Sequence, residues 1–578
     1  MKLCKLLLVF ILSLSLFGCN TKIDNKICEE FDIFVDSLLN VMFESDDTSI
    51  NQFFTNPSSL PFEREIAAWD FYNTEDYLLS VKENEEVYKE LLSFNYKKLD
   101  KNRQITYDIL EYAFKDILFD IDDKAYYYLD NNPLGQYNGI ITDIPLTLYF
   151  YNLNDEIDLK SYLNLMYTLD DLAYNLLSFE KERQDNGYGM TKDEIEAVII
   201  NIQDVLKIAD FDFMINDFTS KLDNLSIDSN IKQEYRVEVV NNLEKLIINF
   251  YKILLEGLKV LEIKQRNEIT LYDVPYGKEY YASLVYLNSG FSNMKDYENY
   301  LDMKLEESIY ELIDLMQSDI DIDSLFDKDT IIHNTDNMNE ILEYLKNEMY
   351  RDFPEVPDVN YDMVVLPEAL QAILAGVGAF YLIGPVDSNE VTQKMMMNGD
   401  YQQSDFSTIA HEGYPGHMYQ HVYANQLEIP LIRKLLSFSD YTEGYANYVQ
   451  RYSSKYADNS EIAEALVVYN NFVYYSILKY DFMMHYEGEN IASDFAALYG
   501  YEENDPEFEP IIEQLEFAPA AFVEYYIAGA IFDDLYLDVL DKTDGKISDK
   551  EYHENILKYG NIPLNLLIDY IYEEYNIN

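Results

Sequence analysis

The most informative stretch of this chain runs Thr408-Ile409-Ala410-His411-Glu412-Gly413-Tyr414-Pro415-Gly416-His417-Met418-Tyr419-Gln420-His421. It contains three of the 6 histidines in the sequence, and the first of them precedes a glutamate. His-Glu followed closely by a second histidine is the pattern of zinc hydrolases, in which two imidazoles bind the metal and the glutamate takes a proton from the attacking water. The stretch therefore predicts a zinc site and a hydrolytic enzyme.

The spacing of these histidines departs from the common HExxH pattern, in which the two ligands lie four residues apart on one helical face. His411 and His417 are six residues apart, and six residues of regular helix turn through roughly 240°. Pro415 interrupts a helix, and Gly416 adds backbone freedom. One interpretation is a bulge at 414–416 that returns His417 to the side of His411. The other is a His417–His421 pair, four residues apart, unless His421 is an ordinary surface or core histidine.

A third ligand is predicted downstream, in the segment Ser439-Asp440-Tyr441-Thr442-Glu443-Gly444-Tyr445-Ala446. Glu443 follows His417 by enough residues for a loop and the start of a second helix. Two histidines, one glutamate and a water form a catalytic zinc set with an open position. Glu443 is one of 106 acidic residues, so the alternative is a solvated surface charge.

The two motifs together identify a family resemblance. His411 to His417, followed by Glu443-Gly444-Tyr445-Ala446, resembles the HExxPGH signature and the EGWA-like motif of bacterial domain-of-unknown-function family eight-eight-five, which looks like a distant relative of the gluzincin metallopeptidases. The likeness runs from about residue 29 to the C-terminus and is strongest over 350–530. Further stretches similar to the family are Asp352–Pro357, Ala379–Pro385 with Asn398, and Pro519–Tyr526.

The resemblance implies a multi-helix gluzincin-like metallohydrolase with Zn²⁺ held by His411, His417 and Glu443. By family position, Tyr525 is the first choice and Tyr526 the second for the phenol that stabilises the oxyanion. The chain departs from the family in three places: Met418 replaces a second histidine found in many members, Tyr445 replaces the tryptophan of EGWA, and Ala528 stands where a glycine is expected, with Gly529 one residue later.

The N-terminus predicts export and lipidation. A short basic start precedes an apolar run from Leu6 to Leu16, which is too short to span a bilayer and is typical of a signal peptide. Leu16-Phe17-Gly18-Cys19 resembles a bacterial lipoprotein cleavage box, so residues 1–18 are predicted to be removed and Cys19 to carry the acyl chains. Residues 19–28 form a tether. Simple secretion with an unmodified Cys19 is the alternative.

The charge excludes some partners. The formal net charge is −64, which repels nucleic acid and anionic headgroups and favours neutral or basic substrates. We therefore expect no nucleic-acid partner and contact with the membrane only through the lipid anchor. The sequence does not indicate an oligomeric state.

The periodicity predicts a mainly α fold with a small β-sheet beside the active-site cleft. The helical face at the N-terminal end contains Phe31, Phe34, Val35, Leu38, Leu39 and Met42. A second face contains Tyr162, Leu165, Met166, Leu169, Leu172, Ala173 and Leu176. Thr191 and Glu194 form a predicted capping box, and 243–261 is a predicted long helix. Strands are predicted at Met363–Leu366 and Lys394–Met397, with an edge able to pair with an extended peptide. Residues 29–578 form the helical region, with lobes at 29–330 and 331–578.

The predicted activity is that of a cell-surface zinc metallopeptidase acting on a peptide or another amide. Arg433 and Arg451 flank the Glu443 segment, and either could bind a substrate carboxylate or form an exposed ion pair. Two alternatives remain at this stage. One is a zinc hydrolase of a non-peptide amide or ester, and the other is a solute-binding lipoprotein with a vestigial site.

Overall fold

Helices form most of the chain in the computed structural model, which describes residues 23–577 except 44–45, 58–59, 61–63, 116–120, 136–138, 209–210, 265–269, 323–324, 326–329, 336, 375–376, 400–404, 500–501 and 503–508. The first helices are α1 (Asn25–Met42), α2 (Asp47–Phe53), α3 (Thr74–Ser93), α4 (Lys101–Phe114), α5 (Asp123–Asp130), α6 (Ile140–Phe150), α7 (Glu156–Tyr167), α8 (Leu169–Asn186), α9 (Lys192–Ile208), α10 (Asp212–Asn224), α11 (Ser229–Val260), α12 (Gly277–Ser289) and α13 (Met294–Met316).

The second half of the chain is also helical. Its helices are α14 (Met338–Met349), α15 (Glu368–Ile373), α16 (Asp405–Glu412), α17 (His417–Gln426), α18 (Leu431–Leu435), α19 (Ser439–Tyr452), α20 (Ser460–Phe482), α21 (Ala492–Leu498), α22 (Glu509–Phe517), α23 (Val523–Lys542), α24 (Asp549–Leu557) and α25 (Leu564–Tyr575). Short 3₁₀ helices span Tyr96–Lys98, Leu271–Asp273 and Ser453–Tyr456, and a π-helical turn spans Met483–Glu487. The predicted mainly α fold is confirmed.

The predicted helical faces lie in the core. The face on α1 is buried except for Met42, which is exposed at the last residue of the helix. The second predicted face is wholly buried but continues across a break at Thr168, so it belongs to both α7 and α8. The capping box before α9 is confirmed: the Thr191 N–H donates to Glu194 Oε2 at 2.5 Å, and the Glu194 N–H donates to Thr191 Oγ1 at 3.2 Å.

One three-stranded sheet contains β1 (Tyr361–Val365), β2 (Ala379–Leu382) and β3 (Gln393–Met397) in the order β1-β3-β2. β3 pairs parallel to β1 and antiparallel to β2. The two predicted strands correspond to β1 and β3, whereas β2 was not predicted as a strand. The order leaves β2 as an edge strand, with one side of its backbone turned away from β3.

The sheet separates two hydrophobic cores because successive side chains point to opposite faces. Met395 and Met397 pack in the core that contains Ile409 and Ala410 of α16. Met396, together with the partly buried Phe380, packs in the core formed by the helices of the N-terminal half. The sheet therefore places one face against the helix that carries His411.

Helices α19 and α23 cross closely because small residues meet at the crossing. A Cβ added at Gly444 would lie 2.7 Å from the Ala528 Cβ, and one added at Gly529 would lie 2.6 Å from Asn447 Oδ1. Ala528 and Gly529 of α23 thus both face α19. The crossing brings the Glu443 segment next to the Tyr525 segment.

The predicted signal peptide, Cys19 and the first part of the tether lie outside the described residues. Within the described ranges, no helix is both long and apolar enough to cross a bilayer. Cys28 is a buried free cysteine on α1.

Candidate metal centre

The backbone between the two histidine helices accommodates the six-residue spacing through a bulge. The Gly413 N–H bonds to Ile409 O at 2.9 Å, four residues back, as in a helix. The Gly416 N–H then bonds to Ala410 O at 3.0 Å, and the Tyr419 N–H bonds to Gly413 O at 3.1 Å, each six residues back. Two extra residues are thereby inserted, and the predicted distortion at 414–416 is present.

Gly416 is required at this turn by a close approach of the backbone. A Cβ at position 416 would lie 1.7 Å from the His411 carbonyl oxygen, a distance at which no side chain fits. The Tyr445 hydroxyl donates to the Pro415 carbonyl at 3.0 Å and attaches the turn to α19. A tyrosine in place of the family tryptophan thus has a specific partner here.

The three predicted ligands converge. Glu443 Oε2 lies 3.4 Å from His411 Nε2 and 3.3 Å from His417 Nε2. One ligand atom from each residue lies within 4.8 Å of the other two, and the imidazole rings are nearly perpendicular, with centroids 4.7 Å apart. Ligand atoms that each lie about 2.0–2.2 Å from a common zinc ion are about 3–4 Å from one another. The two distances from Glu443 Oε2 fall in this range. The donor set, two imidazoles and one carboxylate, fits Zn²⁺.

His421 does not join this cluster. Its Nε2 lies 3.0 Å from the Asn425 side-chain nitrogen, and its ring packs 5.9 Å from that of Tyr381. Burial lowers the pKa of His421 to about 4. The His417–His421 pairing is therefore not the one that the structure forms, because Glu443 faces His411.

Glu412 sits beside the ligands and is held by the sheet. The Tyr381 N–H, on the outer side of β2, donates to Glu412 Oε2 at 2.7 Å. Glu412 Oε1 lies 3.9 Å from His411 Nε2. One carboxylate oxygen is thus fixed by the backbone while the other points toward the candidate metal position.

The Glu443 carboxylate attracts the two histidines, and this attraction shifts the pKa values of Glu443 and His417. Burial lowers the pKa of His417, but the Glu443 carboxylate outweighs it and raises that pKa to about 9. Burial raises the pKa of Glu443, yet His417 and His411 hold it well below its ordinary value. A metal would replace these protons as the positive partner of Glu443, because imidazole must be neutral to coordinate.

Gln450 supports His411 and was missed in the sequence. Gln450 Oε1 lies 3.0 Å from His411 Nδ1, so it accepts a hydrogen bond when that nitrogen is protonated and leaves Nε2 for a metal. Gln450 lies seven residues after Glu443, two helical turns along α19. This spacing, which places Gln450 on the same helical face as Glu443, was the only indication in the sequence. It does not distinguish Gln450 from other glutamines on helices.

The two tyrosines predicted from family position have different surroundings. The Tyr525 ring is half-buried and stacks near His411, with centroids 6.4 Å apart. Burial raises the pKa of Tyr525, and so do the nearby carboxylates of Glu443, Glu524 and Glu412. Tyr526 instead stacks on Tyr474 with centroids 3.6 Å apart. Tyr525 is thus the tyrosine beside the cluster.

Glu524 is a second carboxyl group beside the cluster that the sequence did not single out. Burial raises the pKa of Glu524 to about 7, and the neighbouring Glu443 carboxylate contributes to the increase, whereas a hydrogen bond from Ser439 opposes it. Its position directly before Tyr525 was the only signal available.

The two flanking arginines are not brought to the three ligands. Arg451 is paired with Asp533 of α23, and it also donates to Asn447. Arg433 is 3% exposed on α18 and donates to the Tyr559 carbonyl. Arg451 thus forms an ion pair, which is only partly exposed, whereas Arg433 forms none with the described residues. Arg451 is held within the crossing of α19 and α23, and Arg433 donates to the segment that follows α24.

The fold and the site define a mainly helical protein with a candidate centre of two histidines and one glutamate. The model of a family described as "Bacterial protein of unknown function (DUF885)" matches residues 327–571, a segment that contains both motifs. This match supports the resemblance noted in the sequence.

The solved structures that are similar to the chain include two that are called lipoproteins. The structure of the "putative lipoprotein from Colwellia psychrerythraea" superposes with a TM-score of 0.79 at 14% identity, covering 96% of this chain and 100% of that chain. A "putative lipoprotein of unknown function from Shewanella oneidensis" gives a TM-score of 0.61 at 14% identity, covering 94% and 99%. At this identity the likeness shows the fold alone. No curated protein matches the chain.

Proposed function

We propose that this protein is a zinc-dependent hydrolase that cleaves amide bonds, most simply peptide bonds. The observation that carries the proposal is the convergence of His411, His417 and Glu443, with Glu412 beside them. Side-chain exposures of 10% for His411, 16% for His417 and 23% for Glu443 leave the cluster reachable from solvent. A structural site would be closed by a fourth protein ligand, whereas three ligands leave a position for a water.

In this proposal, His411, His417 and Glu443 hold the zinc ion. Bound zinc supplies Lewis acidity, which lowers the pKa of a water toward neutrality and polarises the scissile carbonyl. Gln450 keeps the His411 proton on Nδ1, so that Nε2 faces the centre.

Glu412 acts as the proton carrier. The Tyr381 N–H holds Glu412 Oε2, so Oε1 is the oxygen that accepts the proton of the attacking water and later returns it to the leaving amine. Tyr525 donates its hydroxyl proton in a hydrogen bond to the developing oxyanion. The raised pKa of Tyr525 keeps that hydroxyl protonated at neutral pH.

The outer side of β2 supports an extended peptide as substrate. Tyr381 turns its N–H away from β3, and alternation places the N–H and C=O groups of Ala379 on the same side. An extended peptide aligned with this edge would pass the Glu412 carboxylate. The net charge of −64 favours neutral or basic peptides.

Anchoring at the cell surface as a lipoprotein is part of the proposal. It rests on the Leu16-Phe17-Gly18-Cys19 box and is supported by the names of the two similar structures, which are both called lipoproteins. The expected test is that a Cys19→Ser variant loses lipid labelling and is released from membranes. Unchanged membrane attachment of that variant would contradict it.

The decisive experiment compares two glutamine variants for metal content and peptide cleavage. Glu412→Gln keeps the shape of the base but removes its proton acceptor, so it should retain zinc and lose about 10²–10⁴-fold activity. Glu443→Gln removes a charged ligand and should lose zinc and activity together. Glu234→Gln, an exposed change on α11, is the matched control and should leave both unchanged.

The outcomes separate the remaining alternatives. Zinc loss in Glu412→Gln, or full zinc retention in Glu443→Gln, would contradict the assigned roles. Zinc binding with turnover of a non-peptide amide or ester, but of no blocked or free-ended peptide, would identify the other hydrolase class. Protein without zinc and without turnover would indicate a solute-binding lipoprotein with a vestigial site.

A further inference from the structure

Arg433 has an unusual environment for a charged side chain. It lies on the short helix α18 and is 3% exposed. One Nη group donates to the Tyr559 carbonyl, whereas Nε is buried and has no hydrogen-bond partner among the described residues. A buried donor without an acceptor is costly, and a buried cation without a counter-ion costs more.

The other described arginines all have a carboxylate partner. Arg64, with a side chain that is 3% exposed, pairs with Asp47, Asp155 and Asp158. Arg183, 6% exposed at the side chain, pairs with Glu180. The remaining pairs are formed by Arg103, Arg236, Arg351 and Arg451. Within the described part of the chain, Arg433 is the exception, although Asp and Glu outnumber Lys and Arg by 106 to 42.

Burial changes the pKa of the Arg433 guanidinium. It lowers the pKa of Arg433 to about 10, and no carboxylate in the described part of the chain offsets this effect. The side chain nevertheless remains protonated at neutral pH. The fold therefore keeps a positive charge inside the protein with no counter-ion among the described residues.

A cavity of about 350 Å³ adjoins this charge. Its lining includes Arg433, Arg103, Lys558, Asn102 and Thr106. Of its two acidic lining residues, Asp32 is already bound by Arg103, and Glu428 is exposed at the surface. The lining contains none of His411, His417 and Glu443. It carries more cations than anions in a protein whose net charge is −64.

We propose that this cavity binds a small anionic molecule through Arg433, with a carboxylate or phosphate group accepting from the buried guanidinium. Such oxygens match the planar donors of arginine and would neutralise its charge. Lys558, at the cavity wall, adds a second positive charge, although it also pairs with Glu574. The site is distinct from the metal centre, and it does not depend on the hydrolase proposal.

The test measures thermal unfolding and calorimetric binding with inorganic phosphate and, separately, acetate, each against chloride at equal ionic strength. Anion binding should raise the melting temperature in a concentration-dependent manner. The same shift is expected in Glu443→Gln, which excludes an anion bound at the metal centre. A response to phosphate alone indicates a phosphate group, and a response to acetate indicates a carboxylate.

Arg433→Met should lower the affinity for the anion by at least about 10-fold, because a charge-assisted hydrogen bond is lost. It should not lower the melting temperature without anion, because it removes an unpaired buried charge. If Arg433→Met does not fold, two other variants test the site. Lys558→Gln removes a positive charge from the cavity wall and should lower the affinity for the anion, whereas Glu428→Gln removes a negative charge and should raise it. The proposal is overturned if the wild type shows no shift in melting temperature, or if the shift in Arg433→Met is as large as in the wild type. It is also overturned if Lys558→Gln and Glu428→Gln both leave the affinity unchanged.

Discussion

Replacing Gly416 with alanine tests whether the turn between the two histidine helices sets the metal site. The added Cβ would lie 1.7 Å from the His411 carbonyl oxygen and 2.6 Å from that of Ala410, whereas real Cβ atoms keep at least 3.0 Å from such atoms. The clash involves backbone on both sides, so no side-chain rotation relieves it. The turn must therefore open by more than 1 Å. This is about five times the tolerance of metal–ligand distances, which is about 0.2 Å.

The expected loss follows from this displacement. A misplacement of about 1 Å at a reactive centre costs on the order of 100-fold, so zinc affinity and peptide cleavage of Gly416→Ala should both fall by at least that factor. Stability should fall by about 1–3 kcal/mol, the usual cost of forcing extra volume into a packed site. Gly378→Ala is the matched control, because a Cβ at that exposed position meets nothing within 4 Å.

The measurements are zinc affinity by chelator competition, peptide cleavage, and urea unfolding. Gly416→Ala and Gly378→Ala carry the same chemical change, so a difference between them reports the turn. If Gly416→Ala binds zinc as tightly as the wild type, the bulge does not determine the ligand spacing and the reasoning is refuted.

Three further predictions follow from the site. Tyr525→Phe should lower turnover by about 10²–10³-fold while zinc content stays unchanged, the usual cost of one oxyanion donor, whereas Tyr526→Phe should have little effect because that ring stacks on Tyr474; equal losses in both variants would contradict the assignment of Tyr525. Zinc must displace a proton from His417, whose pKa in the metal-free protein is about 9, so apparent zinc affinity should rise about tenfold per pH unit up to that pH and then level off. Because the folded pKa lies above the ordinary 6.5, protonated His417 stabilises the metal-free fold fully below pH 6.5, and this contribution disappears as the pH rises through about 9. Thermal unfolding of metal-free protein should show that decrease, and Glu443→Gln should show a smaller one; a flat profile in the wild type would contradict the His417–Glu443 pairing.

The capping box, the helical faces and the bulge could be predicted from the sequence because each depends on residues that are close together in the chain. The capping box of Thr191 and Glu194 needs only three residues of spacing, and the buried face of α1 follows from helical periodicity. The bulge at 414–416 was also predictable, because proline and glycine at those positions forbid a regular helix. Met42 was placed wrongly because periodicity does not show where burial ends along a helix.

The strand β2 was not predicted because its four residues carry little pattern of their own. Ala379–Leu382 shows neither clear alternation nor enough length to indicate a strand. It becomes a strand because its backbone pairs with β3, a partner more than ten residues away in the chain. Strand pairing of this kind depends on tertiary position more than on intrinsic preference.

The sequence by itself determined the helical class, the break between the two histidines and the chemical types able to bind a metal. Only the tertiary structure decided that His411 rather than His421 faces Glu443, because that choice depends on how α16, α17 and α19 pack. It also decided that the Tyr381 backbone holds Glu412 and that Arg433 is buried beside a cavity whose lining contains none of the three predicted ligands. These contacts join residues far apart in the chain, so the packing of helices and sheet sets them and local spacing does not.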